Sequence, residues 1–152
     1  MLKRTRAIAR AIVLAVAALS AVALEAGPPS PHNIKEESAF KLLPGQGKKI
    51  WVDDNTFFTY AFNEKPKMGM IILKVQVFNK KREKITPFII KGRSDMPSMR
   101  GAHDSGDQDF KFSRRRDYLL PVNIAMPGGW EIRLTLLKGD KPVFLGRLQF
   151  DV

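Results

Sequence analysis

The sequence predicts an all-β protein: an immunoglobulin-like antiparallel β-sandwich, preceded by an N-terminal signal peptide. Apolar side chains recur at every second position in runs between residues 71 and 150, and turns rich in proline and glycine separate these runs. No convincing amphipathic helix appears from residue 49 onward. Because side chains on a strand point alternately to its two faces, this pattern gives each strand one apolar face for a shared core.

Eight segments have the composition and the alternation of strands. The predicted strands lie near residues 48–53, 56–63, 68–79, 85–91, 109–113, 117–126, 129–138 and 142–151. The alternation is clear in 129–138, where Trp130, Ile132 and Leu134 share one face and Glu131 and Arg133 the other. We therefore expect Trp130 to be a core aromatic residue.

The first 23 residues have the three parts of a signal peptide. A basic start is followed by an apolar run, and Ala21-Val22-Ala23 supplies the small residues that signal peptidase requires. We predict cleavage after Ala23, with Ala26 as the alternative. The uncharged run from Ala11 to Leu24 is shorter than the roughly 20 apolar residues of a membrane-spanning helix. The prediction is thus a periplasmic or secreted protein with no stable membrane span after cleavage.

The processed chain divides into a lead-in and one domain. Residues 24–47 are predicted to be a flexible lead-in rich in proline and glycine, since Gly27-Pro28-Pro29-Ser30-Pro31 cannot form a helix or a paired strand. Residues 48–152 are predicted to form the single β-sandwich domain, a length sufficient for a core.

Charge and cysteine content exclude several classes of protein. Four of the 26 basic residues lie in the leader, so residues 24–152 carry 22 basic against 15 acidic side chains, a net charge of +7. Arg114-Arg115-Arg116 beside Asp117 is typical of a solvated turn, and we predict no nucleic-acid partner. Anionic envelope lipids or acidic proteins are compatible with this charge. The absence of cysteine excludes disulfides, thiolate metal sites and thiol nucleophiles.

A candidate metal loop lies at residues 94–107, SDMPSMRGAHDSGD. Met96 and Met99 are three positions apart, and His103 follows closely. Thioether sulfur is soft and uncharged, so a site of two methionines and one histidine favours Cu(I) over hard cations. Met126, at the end of a strand, is the candidate fourth ligand. The predicted cofactor is therefore copper, with metal ligands Met96, Met99, His103 and Met126.

Two other interpretations of this loop stay open. The methionines are equally consistent with flexible plugs that seal the end of the sandwich. His103 with Asp95, Asp104 and Asp107 offers nitrogen and oxygen ligands that Zn²⁺ accepts.

Two sequence pieces resemble the YtkA-like family, which includes FixH-type proteins. These are Asp95-Met96-Pro97-Ser98-Met99 with His103, and the run from Tyr118 to Trp130, which ends in Met-Pro-Gly-Gly-Trp. The resemblance implies a small immunoglobulin-like domain in the bacterial envelope, associated with copper. It also implies an envelope protein partner, such as a component of metal efflux or of haem–copper oxidase assembly. This chain has a cleavable-looking leader where FixH-type proteins have a membrane anchor.

No catalytic site is predicted. The chain has two histidines, no cysteine, no Gly-x-Ser-x-Gly motif and no glycine-rich phosphate loop. The predicted function is non-enzymatic copper binding or handling in the envelope. The alternative is a metal-free interaction module that docks on a protein partner, and the two differ in whether the 94–107 loop forms a metal site.

Overall fold

The computed structural model describes residues 38–152, and the predicted signal peptide and its cleavage site lie outside them. Eleven strands and one short 3₁₀ turn, Pro97–Met99, form the described part. In chain order the strands are β1 Lys41–Leu42, β2 Ile50–Asp53, β3 Thr56–Phe62, β4 Gly69–Asn79, β5 Lys84–Ile85, β6 Ile89–Asp95, β7 Gln108–Asp109, β8 Lys111–Phe112, β9 Tyr118–Ile124, β10 Gly129–Lys138 and β11 Lys141–Asp151.

The strands form two sheets that pack face to face. One sheet has the order β1-β11-β10-β6-β7, and the other has the order β2-β3-β4-β9-β8, with β5 paired to β4. All pairings are antiparallel except the parallel pairing of β1 with β11. The chain crosses between the sheets four times, from β1 to β2, from β5 to β6, from β7 to β8 and from β9 to β10. The last three crossings are those of an immunoglobulin-like sandwich. The predicted fold class is confirmed.

The core lies between the two inner faces and has the predicted alternation. Ile71, Leu73, Val75 and Val77 on β4 are fully buried. Trp130 on β10 is 1% exposed, and its indole nitrogen donates a hydrogen bond to the backbone oxygen of Met126 at 3.1 Å. The period-two pattern therefore assigned the inward faces of these strands correctly.

The structure differs from the sequence prediction at three places. The predicted strand 109–113 is divided into β7, which pairs with β6, and β8, which pairs with β9 in the other sheet. The predicted strand 85–91 is divided into β5 and β6, and β6 continues through Asp95 into the predicted metal loop. Pro87 lies between β5 and β6, and proline cannot donate a ladder hydrogen bond. Within the predicted lead-in, β1 pairs with β11 and Leu43 is 7% exposed in the core. Burial of Leu43 explains why this part of the lead-in joins the sandwich.

Between residues 38 and 152, no helix has the length and apolar character needed to cross a membrane.

Candidate metal site

All five methionines between residues 38 and 152 lie at one end of the sandwich, which we name the methionine end. Met68 and Met70 stand at the start of β4, and register pairs Gly69 with Ile124, the last residue of β9. Four residues link β9 to β10, so the start of β10 is at the same end. Register then pairs Glu131 of β10 with Asp95, the last residue of β6. The loop after β6 carries Met96 and Met99, and the turn after β9 carries Met126, so these three methionines lie at the same end.

The loop that carries Met96 and Met99 is held by one carboxylate. The two oxygens of Asp95 accept hydrogen bonds from the backbone nitrogens of Met96 at 2.8 Å and of Gly101 at 3.1 Å. Within this span, the Met99 nitrogen donates to the Met96 oxygen at 3.0 Å, which closes the 3₁₀ turn after Pro97. The sequence thus builds a fixed loop in which Asp95 is a structural residue.

The methionines of the predicted site differ in accessibility. Met96 is 3% exposed and belongs to the core, where its terminal methyl would lie 3.0 Å from a Cβ at Gly128. Met126 is half-buried and packs against the same core. Met99 is 44% exposed. The thioether of Met99 therefore faces solvent, while Met96 and Met126 pack beneath the loop.

His103 lies against a shallow cavity that contains a further methionine. Its ring centroid is 6.0 Å from that of Trp130, and the residue is half-buried. His103 and Trp130 line a cavity of about 400 Å³ together with Met70, which is 60% exposed. The sequence pattern favours Met70, at the start of a strand, as filling of the sandwich, but its side chain is exposed instead. The antiparallel pairing of Met70 with Asn123, which lines the same cavity, brings it there.

Two of the loop aspartates, Asp95 and Asp104, have structural partners. Asp104 accepts two hydrogen bonds from the guanidinium of Arg93 and a third from the Gly106 nitrogen at 2.9 Å. The hydrogen bond from Arg93 is the main cause that lowers the pKa of Asp104 below its ordinary value. Within residues 38–152, no three or more His, Asp or Glu side chains are grouped as a metal-binding set. The oxygen-rich zinc alternative therefore lacks its ligand cluster in the described part of the chain.

A charged cluster that sequence analysis did not identify adjoins the loop on the outer face of the first sheet. Two cross-strand rows of side chains lie next to each other, two residues apart along the strands. One row is Arg93, Arg133 and Arg147, and the other is Asp95, Glu131 and Gln149. Glu131 is 1% exposed and is in ion pairs with Arg133 at 2.9 Å, Arg147 at 3.5 Å and Arg100 at 3.9 Å.

Glu131 is ionised in the folded protein in spite of its burial. Desolvation by burial is the largest single influence and raises its pKa. Hydrogen bonds from Arg133 and Gln149, with the positive charges of Arg133 and Arg100, outweigh it and bring the pKa below the ordinary glutamate value. The cluster borders a cavity of about 220 Å³, which Asp95, Arg100 and Gly101 of the loop also line. The 94–107 loop therefore adjoins this cluster.

Comparisons with known proteins add a fold-level likeness. No model of a known protein family matches the chain, and no curated protein matches it. Among solved structures, the chain is similar to a crystal structure of FetP from uropathogenic E. coli strain F11, recombinantly expressed in the periplasm of E. coli. The two share 11% identity with a TM-score of 0.47, over 70% of this chain and 93% of FetP. The resemblance to the YtkA-like family stays a prediction.

Proposed function

We propose that this protein is an exported, non-enzymatic β-sandwich that binds Cu(I) at its methionine end. The observation that carries the proposal is the position of all five methionines between residues 38 and 152 at one end of the fold, together with His103. The opposite end carries basic turns and no methionine within the described residues. Sealing a sandwich requires methionine sulfur inside the core, whereas Met68, Met70 and Met99 are 57%, 60% and 44% exposed.

The proposed ligands form two groups that differ in the solvent exposure of their side chains. Met99 and His103 come from the fixed loop, and Met70 shares a cavity with His103, so these three are the accessible donors of the proposed set. Met68 is exposed as well but does not line that cavity. Met96 and Met126 complete the proposed set as the donors that pack beneath the loop. The resemblance to the YtkA-like family supports copper as the metal.

Cu(I) titration of the processed protein against a chromophoric Cu(I) chelator tests this proposal. We expect Met96→Leu combined with Met99→Leu to remove binding while lowering the free energy of unfolding by less than about 1.5 kcal/mol, because leucine keeps the apolar volume. His103→Ala and Met70→Leu should each weaken binding at least tenfold, or about 1.4 kcal/mol.

Zn²⁺ serves as the control metal, since thioethers prefer Cu(I). Equal affinity of the parent and the double methionine variant for Cu(I) would contradict the loop site. Loss of binding in Met96→Leu alone, with Met99→Leu unaffected, would assign the site to the buried sulfur instead. A parent without affinity for Cu(I) would refute copper binding altogether.

The exposed thioethers also favour a second function, docking of a protein partner without metal. Methionine is flexible and polarisable, and it occurs at surfaces that adapt to partners. A photo-crosslinking residue at position 70 should then capture an envelope protein in cells. The same residue at Val143, which is 41% exposed at the other end of the sandwich, is the matched control. Equal capture from both positions would count against a specific surface.

Export is tested separately from metal binding. Intact-mass analysis of protein recovered from the envelope should give a chain that begins at Leu24, after the Ala21-Val22-Ala23 motif. Recovery of the full-length form embedded in the membrane would refute processing.

A further inference from the structure

We propose that the end of the sandwich opposite the methionines is a docking surface for anionic phospholipid headgroups. Two basic runs that are distant in sequence meet there: Lys80-Lys81-Arg82, after β4, and Arg114-Arg115-Arg116, before β9. All six side chains are exposed. We name these six residues the basic tip. A basic cluster of this size near a membrane surface is attracted to anionic lipid, and each cation contributes about fivefold in affinity.

A partly buried ion pair holds the two turns together. The Lys84 ammonium lies 2.6 Å from a carboxylate oxygen of Asp117 and donates a second hydrogen bond, of 3.2 Å, to the backbone oxygen of Arg115. Lys84 follows the first basic run, and Asp117 follows the second. Asp117 is 7% exposed and also accepts a hydrogen bond from Gln76 at 2.7 Å. The two turns that carry the six charges of the basic tip are therefore held in a fixed relative position.

Each of the two turns contains an arginine in a backbone conformation that is unfavourable for its side chain. Within residues 38–152, Arg82 and Arg116 are the two non-glycine residues with positive φ, at 66° and 60°. Glycine and asparagine adopt this region more easily than arginine. One such arginine in each of the two turns points to a role for the side chain that the fold does not require.

An exposed aromatic residue next to the second turn fits a lipid surface. Phe112 on the edge strand β8 is 59% exposed, and Lys111 beside it is exposed as well. Aromatic rings at the headgroup level combined with basic side chains are the composition of interfacial membrane binding. The ring of Phe112 contacts Tyr118, which is buried, so the two do not form a series of exposed platforms on which nucleic-acid bases stack. With the predicted export, these features favour lipid over nucleic acid, and they orient the methionine end away from the membrane.

Co-sedimentation of the processed protein with vesicles tests the surface. The vesicles consist of phosphatidylcholine alone or with about one third phosphatidylglycerol. We expect binding to the anionic vesicles only, and loss of binding in about 1 M salt, where the Debye length is about 3 Å. Combined Arg114→Gln, Arg115→Gln and Arg116→Gln should lower the partition coefficient on the order of 100-fold.

The matched control removes the same charge elsewhere. Lys48, Lys65 and Lys67 are exposed and lie outside the basic tip, and their combined substitution by glutamine should lower binding less than about threefold. Arg116→Gly relieves the positive φ, so its melting temperature should be unchanged or higher while binding falls about fivefold. Equal loss in the two triple variants, equal binding to both vesicle types, or tighter binding to double-stranded DNA would each overturn the proposal.

Discussion

The carboxylate of Glu131 accepts a hydrogen bond from the Nε of Arg133 at 2.9 Å, although Glu131 is almost completely buried. The two residues are two apart on β10 and therefore share the outer face of the sheet. Register sets Arg133 directly opposite Arg93 on one side and Arg147 on the other. Like charges opposite each other are destabilising. The charge of Glu131 beside Arg133 and Arg147, with that of Asp104 beside Arg93, therefore allows the three arginines to lie side by side.

Glu131→Gln should lower the free energy of unfolding by about 3–5 kcal/mol, the usual effect of removing one partner of a buried ion pair. The amide keeps the size of the side chain and removes its charge, so the surrounding guanidiniums lose their counter-ion. Urea denaturation monitored by circular dichroism measures the change. Asp140→Asn, an exposed acid in the β10–β11 turn, is the control and should stay within about 0.5 kcal/mol. A loss below about 1 kcal/mol in Glu131→Gln would mean that the cluster is screened by solvent.

Acid should destabilise the protein through three paired carboxylates, of which Glu131 belongs to this cluster. The pKa values of Glu131, Asp104 and Asp117 are lower in the folded chain than their ordinary values of 4.5 for glutamate and 3.8 for aspartate. Groups of this kind contribute stability above their unfolded pKa and lose it as the pH falls through the folded pKa. The free energy of unfolding should be constant from neutral pH down to about pH 5 and fall below it. Glu131→Gln should show a shallower fall, and an identical slope would contradict the assignment.

Trp130→Ala should lower the free energy of unfolding by about 3–5 kcal/mol. The ring is buried, and its indole N–H donates a hydrogen bond to the backbone oxygen of Met126. The second tryptophan is the matched control. Trp51 is 48% exposed and contacts Phe57 with a ring separation of 5.1 Å, so Trp51→Ala should lower stability by about 1 kcal/mol. Equal losses in the two variants would contradict the assigned core.

Gly92→Ala should lower the free energy of unfolding by about 1–3 kcal/mol through overpacking. A Cβ at this position would lie 2.4 Å from Leu120 Cδ2 and 2.9 Å from Phe110 Cε2, and both neighbours are buried. Gly45→Ala is the control, because a Cβ at this position would have no atom within 4 Å. This substitution should change the free energy of unfolding by less than about 0.5 kcal/mol. Thermal unfolding of both variants checks the packing between β6 and β9, and a stable Gly92→Ala protein would show that this packing is looser.

Much of the fold could be predicted because strand alternation is a local property. The apolar face of β4 and the burial of Trp130 followed from period two, and the Pro127-Gly128-Gly129 turn marked the boundary between β9 and β10. Of the candidate site, the loop carrying Met96, Met99 and His103 was evident because its residues are close in sequence.

Residues that are distant in sequence meet through strand register, which the tertiary structure decides. Strand alternation places Glu131 on the polar outer face of β10, as expected. Its burial depends on β6 and β11, which place arginines on both sides of the neighbouring Arg133. Met70 joins the cavity of His103 because β4 pairs with β9, and two short basic runs become one surface because Lys84 reaches Asp117. Each pairing depends on how every strand packs over the common core, so no local pattern encodes it.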